Sequence, residues 1–276
     1  MVSLLLVACG PEKKRVVQDN GIKQDTLEVK PGLNKYLKDC GVQGSIAIYN
    51  AAENHWVVSD SADVKAEALP ASTFKIINLL IALQTGVIAD ENAVVKWVGK
   101  TDTALYGYRP EIYHDMSVKE AFQVSAGWVF IELAKKIGRT NYQKFLQACH
   151  YGNLNLSETG DDFWNFGKMG ISPVNQIQFL SRVYRNDVPF SKRNIDILKQ
   201  VMITEETPAE TWHTKTGWTR QAGMNTGWWV GYVENKKGVY VFATKLIQDR
   251  KFNRDDFGSC RKDITKAAFR ELKLIK

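Results

Sequence analysis

Ser72 and Lys75 stand three residues apart in LPASTFKIINLLIALQTG, residues 69–86. On a helix this spacing puts both side chains on one face, a turn apart. A serine hydroxyl is a poor nucleophile until a base takes its proton, and a neutral lysine amine is such a base. Around Lys75 lie Phe74, Ile76, Ile77, Leu79, Leu80, Ile81 and Leu83, a setting that disfavours the ammonium form. The pair therefore offers nucleophilic catalysis with a buried lysine. Spacing alone does not establish it. Chance supplies about one S-x-x-K in a chain this long at average residue usage, and another runs from Ser259 to Lys262. An isolated copy reads more simply as a helix N-cap serine and a snorkelling lysine. What sets Ser72 apart is a second cluster, Lys215, Thr216 and Gly217. It offers a cation and a hydroxyl to an anionic group, and a glycine that leaves room for a ligand along a strand edge.

These groups need elements that bring them together. Residues 44–50 (GSIAIYN) and 55–59 (HWVVS) read as a hairpin. Residues 72–85 read as a buried helix, entered after Pro70 and ended by Gly86. The next hundred residues or so favour helix: 117–138 by apolar spacing, then NYQKFLQACH, then 172–186 with Ser172 as N-cap and Pro173 at the first helical position, then 193–202. Beyond about residue 210 the period changes to that of strands, over 211–219, 226–234 and 238–247, the last two joined by the turn NKKG. Residues 260–275 read as a closing amphipathic helix. Strands at both ends with helices between predict an α+β fold: an antiparallel sheet built from both chain ends with flanking helices, plus an inserted, mostly helical domain. The expected division is 25–71 with 206–276 for the sheet domain and 72–205 for the helical domain, with the active site at their junction.

S-x-x-K followed by K-T-G is the signature of penicillin-recognising serine enzymes. Within them the sequence resembles the class D β-lactamases, the oxacillinase family, over nearly all of the chain beyond residue 24. The resemblance rests on PASTFK (70–75), YGN (Tyr151, Gly152, Asn153), FW (Phe163, Trp164), ISPVNQIQFL (171–180), KTGW (215–218), GWWVGYVE (227–234) and GSCRKDITK (258–266), in the family's order and spacing. It implies a β-lactamase/transpeptidase-like fold and a hydrolase whose expected substrates are penicillins. By the same resemblance Ser72 would be acylated. Lys75 would carry a carbamate (N6-carboxylysine) formed with carbon dioxide, the only small molecule the site would need besides its substrate. Trp164 would hydrogen-bond that carbamate; without the resemblance it would read as a core aromatic. Ser125 would relay a proton to the leaving nitrogen, and the backbone N–H groups of Ser72 and Trp218 would form the oxyanion hole. Lys215, Thr216, Gly217 and Arg261 would hold the substrate carboxylate, the guanidinium suiting its geometry. Tyr151 and Asn153 would shape the surroundings.

One departure matters. The family's second motif is S-x-V, and here it reads Ser125-Ala126-Gly127, followed by Trp128. Gly127 lacks the apolar cover that the valine gives the modified lysine. A smaller departure is Ile77, where many relatives have proline. Two other functions share the signature. A β-lactam sensor would be acylated and not turn over, and would sit behind a membrane-spanning segment. A cell-wall transpeptidase would carry S-x-N and lack YGN and Trp164.

The rest of the sequence narrows the setting. Its 276 residues suffice for a large core, and 44% are hydrophobic and 24% charged, as in folded soluble proteins. The net charge of +7 is spread among acids in short runs, which argues against nucleic acid as partner. His55, His114, His150 and His213 and the four cysteines show no metal-ligand spacing, so no metal site is expected. Cys40, Cys149 and Cys260 read as small buried or half-buried residues. Cys9 ends SLLLVAC, which looks like a bacterial lipobox, although no charge precedes it in residues 1–8. Residues 1–8 are thus expected to be a lipoprotein signal, Cys9 the lipidated residue, and 9–24 a polar tether. That places the protein in the periplasm on a lipid anchor. No later run approaches the roughly 18 apolar residues that span a bilayer.

Overall fold

The computed structural model describes residues 25–252 and 254–276. The reading of residues 1–24, including Cys9, lies outside them. The first part of the chain supplies β1 (Thr26–Val29), α1 (Asn34–Asp39), β2 (Gln43–Asn50) and β3 (His55–Val58). The middle supplies α2 (Lys75–Gln84), β4 (Val94–Val95), α3 (Thr103–Tyr106), β5 (Met116–Ser117), α4 (Val118–Gln123), α5 (Gly127–Ile137), α6 (Arg139–Ala148), α7 (Pro173–Tyr184) and α8 (Lys192–Val201). The last part supplies β6 (Ile203–Glu206), β7 (Glu210–Gln221), β8 (Met224–Asn235), β9 (Gly238–Asp249) and α9 (Phe257–Glu271).

The α+β expectation holds. Seven strands form one sheet in the order β1-β3-β2-β9-β8-β7-β6, so β2 from the first part of the chain pairs with β9 from the last. The sheet is antiparallel except at one edge, where β1 pairs parallel with β3, Leu27 opposite Trp56.

Both faces of the central strands are covered, which explains why they read as nearly continuous apolar runs. Successive side chains point to opposite faces. Ile46 and Ile48 of β2, Trp229 and Val233 of β8, and Phe242 and Leu246 of β9 pack with Leu37 and Phe269 on the side of α1 and α9. The intervening Ala47, Tyr49, Trp228, Val230, Val241 and Ala243 join the larger cluster that contains α2, α5 and α7. Fully burying one such side chain stabilises the fold by about 1.5–3 kcal/mol.

Two predicted helices are interrupted, and both interruptions make the site. The segment from 72 begins as a 3-10 turn over Ala71–Phe74 and becomes α2 only at Lys75. The single helix expected over 117–138 is two. Ser117 caps α4 by accepting from the Glu120 N–H, and α4 ends at Gln123. Ser125 then takes a left-handed φ of 60°, and α5 starts at Gly127. The Ala126 N–H closes this corner on the carbonyl of Ala121 at 2.8 Å. The helix over 172–186 starts as expected, its Ser172 hydroxyl accepting from the Asn175 N–H. Cys149 is buried as anticipated, but Cys40 and Cys260 form a disulfide that joins the end of α1 to α9.

Candidate active site

Four segments of the chain meet around a cavity of about 400 Å³ lined by Ser72, Lys75, Ser125, Gly127, Thr216, Trp218 and Arg261, among others. The first segment is the 3-10 turn. Its Ala71 sits at φ 51°, and the Ala71 N–H donates to the carbonyl of Trp164 at 2.9 Å. The tight turn sets Ser72 over the start of α2, where Lys75 Nζ donates to Ser72 Oγ at 2.7 Å. Lys75 is 0% exposed, and its Nζ lies 5.3 Å from the centre of the Phe130 ring. Burial, with the nearby charge of Arg109 as a smaller cause, pushes its pKa down to about 7. Close to neutral pH a large share of the amines are therefore uncharged. That is the state in which one can take a proton or react as a nucleophile.

The second segment is the corner between α4 and α5. The left-handed backbone at Ser125 presents its hydroxyl to Lys215 Nζ, 3.0 Å away. Lys215 also donates to the Thr216 carbonyl at 3.2 Å and is 4% exposed. Burial first, then the charges of Lys75 and Arg261, hold its pKa well below the usual lysine value. Lys215 thus sits behind Ser125, while Thr216 lines the cavity itself. A Cβ added at Gly127 would meet no atom within 4 Å outside its chain neighbours and its own helix backbone. The neighbouring Trp128 also lines the cavity; its indole N–H donates to the Ile112 carbonyl, and its ring packs edge-on against Trp97.

The third segment is the loop over 151–170. Asn153 folds it by donating to Glu67 and the Lys168 carbonyl and accepting from the Gly170 N–H. This agrees with the structural role expected for YGN. Arg139 donates to the carbonyls of Leu156, Glu158 and Gly160. Trp164 is fully buried and stacks on Phe74, beside Lys75, with ring centres 5.0 Å apart and planes within 11°. Its indole N–H has no hydrogen-bond partner among the described residues. Leaving such a donor unsatisfied costs about 1–3 kcal/mol.

The fourth segment is β7. Strand β6 pairs with it only as far as His213, so from Lys215 on its outer edge pairs with no strand among the described residues. That edge runs beside the nucleophile turn. The space that Gly217 leaves is taken by protein: a Cβ there would lie 3.0 Å from the Pro70 carbonyl oxygen and 3.1 Å from Thr73 Cγ2. The glycine thus lets strand and turn approach, in place of the expected room for ligand. Arg261, from the first turns of α9, donates to the Gly217 carbonyl at 2.8 Å and lies 5.7 Å from the Trp218 ring centre. Burial lowers its pKa to about 10, which leaves it charged at neutral pH.

Of the residues singled out from sequence, Ser72, Lys75, Ser125, Thr216, Trp218 and Arg261 line the cavity, Lys215, Gly217 and Trp164 are not in its lining, and Cys9 lies outside the described residues. Sequence reasoning missed Arg109, Phe130, Asn165, Thr219 and Arg220. Arg109, Asn165, Thr219 and Arg220 line the cavity, and Phe130 covers Lys75. None lies in a motif, and only their tertiary placement marks them. The decoy Ser259 faces no such partner: its hydroxyl donates to the Asp256 carbonyl. Among the described residues no group of three or more His, Cys, Asp or Glu stands close enough to hold a metal ion. None of their helices is long and apolar enough to cross a membrane.

The chain matches the family described as "Penicillin binding protein transpeptidase domain" over residues 44–270. Beta-lactamase OXA-10 of Pseudomonas aeruginosa is 38% identical over 219 residues, 78% of this chain and 80% of that one. Beta-lactamase OXA-48 of Klebsiella pneumoniae is 35% identical over 243 residues, 88% of each chain. The crystal structure of a class D β-lactamase from Sebaldella termitidis superimposes with a TM-score of 0.84 at 35% identity, covering 91% of this chain and 99% of that one.

Proposed function

The chain belongs to the class D β-lactamases, serine hydrolases of β-lactams, and on that premise we propose that it hydrolyses penicillins with a carboxylated Lys75 as base. The observation that carries this reading is the buried amine of Lys75 at the nucleophile Ser72. A fully buried amine with a pKa near 7 lies 2.7 Å from the nucleophile. On the ring of Phe74, the residue before Lys75, stacks the Trp164 indole, whose N–H has no acceptor among the described residues. A carboxyl group on Nζ would be an acceptor of the kind that donor lacks, and Lys75 lines the same cavity as Gly127, where a Cβ would meet nothing within 4 Å. Bound there, the group supplies an anionic general base in an apolar setting.

The remaining roles fall to the chain's own side chains. Ser72 Oγ attacks the lactam carbonyl, losing its proton to the base. The carbon–nitrogen bond breaks, and the ring nitrogen takes a proton through Ser125, with Lys215 behind it. The backbone N–H groups of Ser72 and Trp218 receive the developing oxyanion. Thr216 and Arg261, backed by Lys215 and Gly217, hold the substrate carboxylate. Water, deprotonated at the same base, then hydrolyses the ester on Ser72.

The deciding experiment is turnover of a penicillin with and without added bicarbonate. Many turnovers per enzyme, preserved or raised by bicarbonate, are expected. A single acylation at Ser72 without turnover would defeat the hydrolytic reading. The same proposal puts the protein in the periplasm, anchored through a lipidated Cys9. The Cys40–Cys260 disulfide supports an oxidising compartment. An unmodified Cys9 in the intact mass of membrane-extracted protein would end the anchor.

A further inference from the structure

Among the described residues the charged ones that line the catalytic cavity are Lys75, Arg109, Arg220 and Arg261, and no carboxylate lines it. Two acids touch lining residues without lining the cavity themselves: Asp162 accepts a hydrogen bond from Tyr106, and Glu111 pairs with Arg109. Three of the four cations are engaged. Lys75 is bonded to Ser72, and Arg261 to the carbonyls of Gly217 and Gly258. Arg109 pairs with Glu111 at 2.9 Å and donates to the Val124 carbonyl. Arg220 differs. Its side chain is exposed, its guanidinium carbon lies 5.0 Å from the Trp218 ring centre, and no carboxylate pairs with it among the described residues.

The backbone that carries Arg220 is held firmly. On one side Thr219 donates to the Asn165 carbonyl, and on the other Gln221 exchanges two hydrogen bonds with Gly167. Trp218 and Arg220 project on the same side of β7, since alternate residues of a strand share a face. In the reading proposed above, Thr216 lies at the substrate carboxylate and the Trp218 N–H at the lactam carbonyl. The covalent order of a penicillin is carboxylate-bearing carbon, ring nitrogen, carbonyl carbon, then the carbon that carries the acylamino group. Laid along β7 in that order, at about 3.3 Å per residue, the acyl side chain extends past Trp218 to Arg220.

We propose that Arg220 is a second anion subsite, which selects β-lactams with a negative charge on the acyl side chain. This inference rests on the hydrolytic reading and adds a substrate class to it. The group recognised is a carboxylate or sulfonate close to the side-chain amide, for which a guanidinium presents a matched pair of donors. The chemistry at Ser72 is unaltered; the subsite acts on substrate capture.

The experiment compares kcat/KM for benzylpenicillin and for its α-carboxy derivative, in wild type, Arg220→Ala, Arg220→Lys and Lys236→Ala. Lys236 lies in the β8–β9 turn, at the far end of β8 from Arg220, and its loss makes the same change in net charge. The ratio of the two constants, dianion over monoanion, is expected to fall about fivefold in Arg220→Ala, in line with one partly exposed charge pair. It should fall less in Arg220→Lys and not at all in Lys236→Ala. In wild type the ratio should shrink as salt is raised, because an exposed pair is screened. If both substrates are turned over and Arg220→Ala leaves the ratio unchanged, or lowers both constants equally, Arg220 serves no side-chain anion and the inference is overturned while the hydrolase stands. If neither is hydrolysed by wild type, the hydrolytic reading fails and the subsite falls with it.

Discussion

Gln221 and Gly167 exchange two hydrogen bonds: the Gly167 N–H donates to Gln221 Oε1 at 2.9 Å, and Gln221 Nε2 donates to the Gly167 carbonyl at 3.0 Å. With Thr219 donating to the Asn165 carbonyl, this clasp ties the loop that carries Trp164 to the strand that carries Thr216. Two walls of the cavity are thus joined directly. Gln221→Ala removes both bonds at an exposed position. A loss of about 1 kcal/mol is expected, or about 2–4 °C in Tm for a chain of this size. A several-fold fall in kcat/KM should accompany it. A wild-type rate in a variant of lower Tm would mean that loop and strand are positioned without the clasp.

Lys75 makes activity fall with acid. Its pKa is pushed down to about 7, chiefly by burial and then by Arg109. As pH drops through that value the amine takes up a proton. It can then neither accept the Ser72 proton nor react with carbon dioxide. The acid limb of kcat/KM should therefore have a midpoint near pH 7 in bicarbonate-containing buffer. Arg109→Ala removes a cation that disfavours the ammonium, so the midpoint should move to higher pH. A profile that is flat from about pH 5.5 to 8 would contradict this assignment.

Gly127→Val restores an apolar cover. An added Cβ meets no atom within 4 Å outside its chain neighbours and own helix, and the position is the first of α5, so the fold should tolerate the change, which a Tm measurement checks. If the open space lets water reach the modified lysine, the valine should reduce the loss of activity when bicarbonate is removed. Equal sensitivity in the two proteins would show that Gly127 does not govern stability of the modification.

Gly217→Ala tests the close approach of β7 and the nucleophile turn. Its methyl would stand 3.0 Å from the Pro70 carbonyl oxygen, 3.1 Å from Thr73 Cγ2 and 3.3 Å from Trp228 Cβ. Overpacking of this kind costs about 1–3 kcal/mol. Pushing strand and turn apart should also lower kcat more than tenfold, because Ser72 and Trp218 would no longer meet one oxygen. Equilibrium unfolding and steady-state kinetics on one preparation separate the two effects.

The Cys40–Cys260 disulfide closes a loop with a sequence separation of 220 residues. Cys40→Ser is expected to lower stability by about 2–5 kcal/mol. Arg261 follows Cys260 directly, so KM should rise with little change in kcat if the variant leaves Arg261 less firmly placed. Denaturation midpoints that are the same with and without reductant would argue that the bond does not form in solution.

The sequence by itself determined the hairpin over 44–59, the long strands after 210, the capped helix over 172–186 and the S-x-x-K, K-T-G order. All of these depend on near neighbours: a side-chain period, a capping hydroxyl, a turn residue, a motif a few residues long. Tertiary structure alone decided the rest. A helical apolar period runs straight through 117–138, yet the chain breaks at Ser125, where the corner hydrogen bond to Ala121 and the reach to Lys215, 90 residues away, outweigh local helix preference. No spacing rule pairs Cys40 with Cys260, and none sets Arg220 at the cavity rim. The space beside Gly217 could have held ligand or protein, and packing gave it to the turn. The lysine shows both halves. Its apolar neighbours in sequence foretold burial, but its hydrogen bond to Ser72 and the unpartnered indole of Trp164, 89 positions further along the chain, exist only once helices and sheet have closed around it.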